Sequence, residues 1–164
     1  MGSGKTSIAK LLAQKMELPF KDTDHLIELK WGKKISEIFS QEGEEKFREY
    51  ETQILKSLSA EDSIILATGG GIIEKVANHA LLKNNAVIFY LKTTPDDVLK
   101  FTNHDKSRPL LQGKDPLVFI TEKLNNRIPT YLHLCDYQIE THGQTLEDLT
   151  QEIVDHLKNN NHFT

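Results

Sequence analysis

The first residues of the chain, Met1 to Thr6, read Met-Gly-Ser-Gly-Lys-Thr and run directly into a helical pattern. Glycines leave backbone N–H groups uncovered, so these groups can converge on phosphate oxygens, and the N-terminus of a following helix attracts the same anion. A lysine here can reach the β- and γ-phosphates, and a threonine hydroxyl can hold Mg²⁺. The pattern is the second half of a phosphate-binding loop, G-x-x-x-x-G-K-[ST]. It predicts contacts to a nucleotide at Gly2, Ser3, Gly4, Lys5, Thr6 and Ser7.

The first half of that motif, a glycine preceded by a buried strand, has no place in a chain whose Gly4 is its fourth residue. We expect Met1 to be an internal methionine and an upstream segment to supply the glycine and the strand. Two other interpretations stay open: a disordered tail or cloning remnant, and an N-myristoylation site of the form Met-Gly-x-x-x-Thr. If the chain is complete, we expect low stability, or a sheet whose gap is open or filled by another segment.

The composition fits one globular domain. The 164 residues are 38% hydrophobic and 27% charged, with a net charge of −4, and nothing in these values favours a nucleic-acid or membrane surface. The single cysteine, Cys135, excludes an internal disulfide and a cysteine metal cluster. No apolar run approaches membrane-spanning length. We therefore expect a cytoplasmic protein. We also expect it to be a monomer whose partners are small molecules.

Short apolar segments that predict strands, among them 63–67 and the clearest one at 86–91, alternate with segments of helical periodicity. This alternation predicts an α/β fold with a parallel sheet covered by helices on both faces. Ligands in such folds bind at the carboxyl ends of the strands. Two clusters fall there: Asp22-Thr-Asp24, in which we expect Asp24 to cap a helix, and the three glycines at 69–71.

Each cluster has a chemical and a structural interpretation. In a phosphotransferase, one carboxylate of the pair Asp22 and Asp24 can hold Mg²⁺ through water, and the other can accept a hydroxyl proton. The alternative is a helix cap and a turn residue. Three consecutive glycines permit close approach of a ligand to the backbone, with a flexible turn as the alternative.

Arginine is rare, since only Arg48, Arg108 and Arg127 occur among 20 basic residues. The chain otherwise uses lysine for positive charge. An arginine in such a chain indicates a need for a planar guanidinium fork, which can bind a carboxylate or phosphate with two hydrogen bonds. A surface ion pair is the alternative for each of them.

Six motifs in this order resemble the shikimate kinase family: Gly-Ser-Gly-Lys-Thr, Asp-Thr-Asp, Gly-Glu-x-x-Phe-Arg-x-x-Glu, Gly-Gly-Gly, Arg-Pro-Leu-Leu and Arg-x-Pro-x-Tyr. The resemblance implies a P-loop kinase fold with a parallel five-stranded sheet in the order 2-3-1-4-5, of which the first, central strand is missing from this chain. It implies a single domain over 1–164 with a lid at about 103–116. It also implies transfer of the γ-phosphoryl group of ATP to the 3-hydroxyl of shikimate, a step of aromatic amino-acid biosynthesis.

The resemblance gives a role to each matching residue. Lys5 is expected to bind phosphates, and Thr6 to bind Mg²⁺ with Asp22 as an outer-shell partner. Asp24 is expected to orient the substrate hydroxyl and take its proton, and Arg108 to contact ATP from the lid and neutralise the transferring phosphoryl group. The substrate-binding residues are Asp24, Arg48, Gly69, Gly70, Gly71 and Arg127, with the arginines taking the carboxylate of shikimate.

Two further points bear on the resemblance. Glu51 lies three residues after Arg48 on the same helical face and could fix its fork. At the start of the lid the family commonly has an arginine before a threonine, stacked on adenine, whereas this chain has Phe101-Thr102, which keeps the stacking surface and loses the cation.

Two other functions remain open at this point. Another small P-loop kinase, acting on gluconate or a nucleoside monophosphate, would explain Lys5 and the lid but not Arg48 and Arg127 beside the glycines. A truncated, non-catalytic P-loop remnant would explain the absent glycine and strand. ATP binding and a panel of substrates would distinguish the three.

Overall fold

Eight helices and four short strands make up the part of the chain that the structure describes. In this computed structural model, residues 4–102 and 115–160 are described, with the side chains of residues 100–102 excepted. The strands are β1 (Phe20–Asp22), β2 (Ile65–Ala67), β3 (Phe89–Lys92) and β4 (Tyr137–Glu140). The helices are α1 (Lys5–Met16), α2 (Thr23–Trp31), α3 (Ile35–Gln41), α4 (Gly43–Leu58), α5 (Val76–Asn85), α6 (Pro95–Thr102), α7 (Pro116–Leu134) and α8 (Leu146–Asn159).

The strands form two parallel pairs. β1 pairs with β2, with Asp22 opposite Ala67, and β3 pairs with β4, with Phe89 opposite Tyr137. Parallel strands end at the same edge, so the residues that follow β1 lie beside the glycine turn that follows β2. The α/β architecture predicted from the sequence is confirmed, and the two pairs correspond to the outer pairs of the order 2-3-1-4-5.

A cavity of about 570 Å³ lies between β2 and β3. Its walls include apolar side chains of α1 and of both strands, such as Ile8, Leu12, Leu66 and Leu91. Lys5 lines the same cavity. Within the described ranges no strand pairs with both β2 and β3, so the gap lies where the sequence predicted a missing central strand.

Amphipathic helices supply most of the core around the two strand pairs. One cluster joins α1 and α8 to the strands through Ile8, Ile139 and Ile153, each no more than 3% exposed. A second cluster, formed by α2, α3 and α4, encloses the fully buried Ile27 and Ile38. None of the described helices combines the length and the apolar character needed to cross a membrane.

Candidate active site

The phosphate loop leads into α1 through a glycine in the left-handed region. Gly4 has φ +69° and precedes Lys5, the first residue of α1. A side chain would be strained at this φ, which explains the residue type. In the first turn of α1, the Thr6 hydroxyl donates to Asp22 Oδ2 at 3.1 Å. This bond places the anion-attracting start of α1 beside the end of β1.

Asp22, and not Asp24, caps α2. Asp22 Oδ1 accepts the backbone N–H of Asp24 at 2.9 Å and that of His25 at 3.4 Å. The cap predicted at Asp24 is therefore wrong, because the helix begins at Thr23 and Asp24 already lies in its first turn. Asp24 faces the glycine turn, where a Cβ placed on Gly69 would lie 3.2 Å from Asp24 Oδ1.

Thr6 and Asp22 provide neighbouring oxygen atoms of the kind that Mg²⁺ prefers. Mg²⁺ typically takes one or two protein ligands and completes its octahedral shell with water and phosphate oxygens. The described residues contain no group of three or more histidine, cysteine, aspartate or glutamate side chains arranged to hold a metal ion. The Thr6 hydroxyl and the Asp22 carboxylate, 3.1 Å apart, are two oxygen ligands of the kind that Mg²⁺ takes from a protein.

Arg48, on α4, is surrounded by carboxylates, and its side chain is only 9% exposed. Its Nε donates to Glu74 at 3.0 Å, its Nη1 to Glu51 at 2.8 Å and its Nη2 to Glu44 at 2.7 Å. Burial lowers the pKa of Arg48, but the charges of these carboxylates outweigh burial and raise the pKa above its ordinary value. Arg48 is therefore permanently charged and held in place, and it is not a surface ion pair.

Arg127, on α7, reaches the same carboxylate from the other side. Its Nε donates to Glu74 Oε1 at 2.9 Å, and its Nη2 donates to the same oxygen. Burial raises the pKa of Glu74, but Arg127 and Arg48 outweigh it, so the pKa lies below its ordinary value. Glu74 thus joins the two arginines as an ionised bridge.

The glycine turn is packed closely against these side chains. The Tyr131 hydroxyl donates to the backbone carbonyl of Gly70 at 2.6 Å. A Cβ on Gly71 would lie 2.3 Å from Arg48 Nη2, closer than any side-chain atom could remain. The turn is therefore fixed by its neighbours, and its lack of side chains is what admits the guanidinium group.

Glu51 is fully buried between Arg48 and the glycine turn. Its Oε1 has no hydrogen-bond partner in the described part of the chain, and a Cβ on Gly69 would lie 3.1 Å from this oxygen. Burial raises the pKa of Glu51 to about 7 although Arg48 lowers it, and the nearby charges of Asp24 and Glu74 raise it further. Glu51 therefore gains or loses its proton near neutral pH.

This pKa predicts that the free energy of unfolding falls as the pH rises between 4.5 and about 7. In that range the folded protein keeps the Glu51 proton and the unfolded chain has lost it, so raising the pH favours unfolding. The expected loss is on the order of 3 kcal/mol. Urea unfolding at a series of pH values should show this slope in the wild type and lack it in Glu51→Gln. Glu49→Gln removes a half-exposed carboxylate from the same helix and should keep the slope, and equal slopes in all three proteins would contradict the assignment.

Some predicted site residues fall outside the described residues. These are Gly2, Ser3 and Arg108, together with the side chain of Phe101. The lid predicted at about 103–116 is described only at Asp115 and Pro116, where Asp115 caps α7.

Four residues that the sequence interpretation did not assign to the site contribute to it. Thr23 accepts the backbone N–H of Gly69 at 3.2 Å and so ties the end of β1 to the turn. Tyr131 follows Arg127 by one helical turn, a spacing that could have indicated a shared face. Glu44 lies one turn before Arg48 in the same way. Glu74 has no such signal, because its position depends on the fold of a turn.

Comparison with known proteins identifies the family. A family model described as shikimate kinase matches residues 1–158. The chain belongs to the shikimate kinase family. It is 40% identical over 154 residues to a shikimate kinase of Vibrio parahaemolyticus, covering 94% of this chain and 90% of the relative. It is 38% identical over 154 residues to that of Ralstonia nicotianae, covering 94% of this chain and 81% of the relative.

Solved structures of shikimate kinases have the same fold. The shikimate kinase of Acinetobacter baumannii in complex with shikimate is 39% identical, with a TM-score of 0.94 over 98% of this chain and 90% of that chain. The enzyme of Aquifex aeolicus is 28% identical, with a TM-score of 0.84 over 98% of this chain and 93% of that chain. The chain is therefore an ATP-dependent shikimate kinase in fold and in enzyme class, as its motifs predicted.

Proposed function

We propose that the carboxylate of shikimate binds between Arg48 and Arg127, and that this contact positions shikimate for phosphorylation at its 3-hydroxyl. The observation that carries the proposal is the convergence of both guanidinium groups on a single carboxylate, that of Glu74. Two arginine forks aimed at one point form a strong and geometrically specific carboxylate site. The glycine turn at 69–71 gives the ring of the substrate room to approach the backbone.

Asp24 orients the substrate hydroxyl and accepts its proton. Its carboxylate lies just after β1 and next to Gly69, and its backbone N–H donates to Asp22, the partner of Thr6 at the start of α1. The hydroxyl oxygen forms a bond to the γ-phosphorus as the bond from that phosphorus to ADP breaks, and the proton passes to Asp24. Positioning and charge neutralisation supply most of the catalysis in such transfers.

The phosphates of ATP bind at the start of α1, where Gly4, Lys5, Thr6 and Ser7 surround the helix terminus. Thr6 and Asp22 would hold Mg²⁺, with Asp22 as the outer-shell partner, and the bound ion would supply positive charge that neutralises the phosphates. The role of Arg108 in the lid follows from the family resemblance, and so does closure of the lid over ATP, which excludes water.

The chain acts as a single domain and as a monomer in the cytoplasm. One cysteine in 164 residues is consistent with a reducing compartment. Sedimentation velocity with and without shikimate would test the monomeric state.

The test is ADP release with ATP and Mg²⁺ in the presence of shikimate, gluconate or a nucleoside monophosphate. Of the three acceptors, we expect only shikimate to cause ADP release. Chelation of Mg²⁺ should abolish this release. ADP release with gluconate but not with shikimate would overturn the assignment of shikimate as the substrate. No release with any acceptor, together with no ATP binding by calorimetry, would support a non-catalytic remnant.

A further inference from the structure

Glu74 occupies the place that the proposed function gives to the carboxylate of the substrate. Its Oε2 accepts from Arg48 Nε at 3.0 Å, and its Oε1 accepts from Arg127 Nε at 2.9 Å. The Nε and Nη2 edge of Arg127 is thus bound to Glu74. A second carboxylate cannot use this edge until Glu74 leaves it.

The balance of charges around the two arginines also favours displacement of a carboxylate by the substrate. Arg48 and Arg127 bring two positive charges, while Glu44, Glu51 and Glu74 bring up to three negative charges to hydrogen bonds with them. Asp24 adds a further carboxylate at Gly69. An anionic substrate that enters this cluster without displacing a carboxylate meets like charge in a partly buried site, which disfavours binding.

Glu74 is the carboxylate of this cluster that is best placed to leave. Glu51 is fully buried and Glu44 is fixed on the same helix as Arg48, whereas Glu74 lies in the turn between β2 and α5. Glu44 is the more exposed of the two, at 39% against 30% for Glu74, but Glu74 is the one that bonds both arginines. The pKa of Glu74 lies below the ordinary value because Arg127 and Arg48 outweigh burial, so Glu74 stays ionised near neutral pH and has to be exchanged for another anion.

We propose that Glu74 is an internal competitor that occupies the arginine site in the free enzyme, is displaced by the carboxylate of the substrate, and thereby sets the affinity of the site for acids. This inference rests on the proposed binding of that carboxylate by Arg48 and Arg127. An acid replaces the two ion pairs of Glu74 with its own. A neutral analogue offers no replacement, so it binds with Glu74 still in place. Glu74 therefore lowers the affinity for ligands that carry a carboxylate and leaves the affinity for neutral ligands unchanged.

The test compares the affinities of shikimate and its neutral methyl ester for the wild type and for Glu74→Gln, measured by calorimetry. Glutamine keeps the size of the side chain and removes its charge. We expect Glu74→Gln to bind shikimate roughly tenfold to hundredfold more tightly, as expected when a charged hydrogen-bond competitor is removed. Affinity for the ester should stay within about twofold, and the KM for ATP should not change. Glu74→Ala should act in the same direction.

Glu45→Gln is the matched control, because Glu45 lies near the same turn and pairs with Lys75. It should leave both affinities unchanged. Weaker shikimate binding by Glu74→Gln would overturn the inference and show that Glu74 braces the arginines. An equal gain for acid and ester, or an equal gain in Glu45→Gln, would overturn it as well.

The outcome also separates this inference from the proposed function. If the wild type phosphorylates shikimate and Arg127→Ala does not, an unchanged affinity in Glu74→Gln overturns the role of Glu74 alone. If the wild type binds ATP but neither binds nor phosphorylates shikimate, the proposed function and the inference both fail.

Discussion

Replacing Arg127 by alanine will lower kcat/KM for shikimate by roughly 30-fold to several thousand-fold, which corresponds to about 2 to 5 kcal/mol. Both donors on the Nε and Nη2 edge of Arg127 point at the carboxylate position, and only 11% of the side chain is exposed. Without them the substrate carboxylate keeps Arg48 alone. Steady-state kinetics with varied shikimate at saturating ATP measures the loss, and the KM for ATP should not change.

Two further variants show whether the fork or the charge of Arg127 is responsible. Arg127→Lys keeps the charge but loses the planar fork, so we expect its kcat/KM for shikimate to fall by at least about tenfold. Lys123→Ala removes a positive charge one turn earlier on α7 and should change kcat/KM by less than about threefold. Equal losses in Arg127→Ala and Lys123→Ala would show that net charge, and not the fork, attracts the substrate.

Gly71→Ala will reduce kcat/KM for shikimate by about a hundredfold or more, the scale expected when a positioning group moves by about 1 Å. The new Cβ would lie 2.3 to 2.4 Å from Nη2, Nη1 and Cζ of Arg48. These atoms end a long side chain, so the overlap is relieved by movement of the guanidinium group and not of the backbone. The movement breaks the aligned bonds of Arg48 to Glu51, Glu44 and Glu74, and the unfolding free energy falls by about 1 to 2 kcal/mol.

Gly143→Ala provides a control that matches this loss of stability. Gly143 has φ +75° in a turn before α8, and a Cβ there meets no atom within 4 Å among the described residues. The strained φ should cost about 1 to 2 kcal/mol without affecting the site. Urea unfolding and kinetics on both variants should therefore give similar stabilities and very different activities. A parallel loss of activity in Gly143→Ala would attribute the effect of Gly71→Ala to unfolding.

The architecture could be predicted because alternation of apolar and helical segments is a local property of the sequence. The first and last residues of the strands could not be predicted in this way. The segment 63–67 was predicted as a strand, but β2 covers only Ile65–Ala67, and 86–91 was predicted where β3 covers Phe89–Lys92. A strand extends only as far as its partner pairs with it, and β1 offers β2 three residues. That length is set by a distant segment and not by the strand itself.

The site could be predicted where residue type carries the chemistry. Asp24, Arg48, Arg127 and the glycine turn were predicted to lie together, and the structure brings them together. Their roles in binding and catalysis stay predictions. Glu74 could not be found in this way, because it lies in a turn without periodicity and its ion pairs depend on the path of that turn.

The gap between the two strand pairs changes how the protein opens locally. Since β2 and β3 do not pair in the described part of the chain, the two sides are joined by packed helices and by the bridge through Glu74. Arg48 lies on α4, which packs in one cluster with Leu66 of β2. Arg127 lies on α7 one turn before Tyr131, whose ring stacks on that of Tyr90 in β3 with 4.8 Å between the ring centroids. Both strand pairs share one core cluster with α1 and α8, so we expect amide hydrogen exchange to be slow in that cluster and faster at the strand edges that border the gap. A substrate carboxylate that replaces Glu74 takes over the bridge between the two arginines, so we expect exchange at these edges to stay unchanged when shikimate binds.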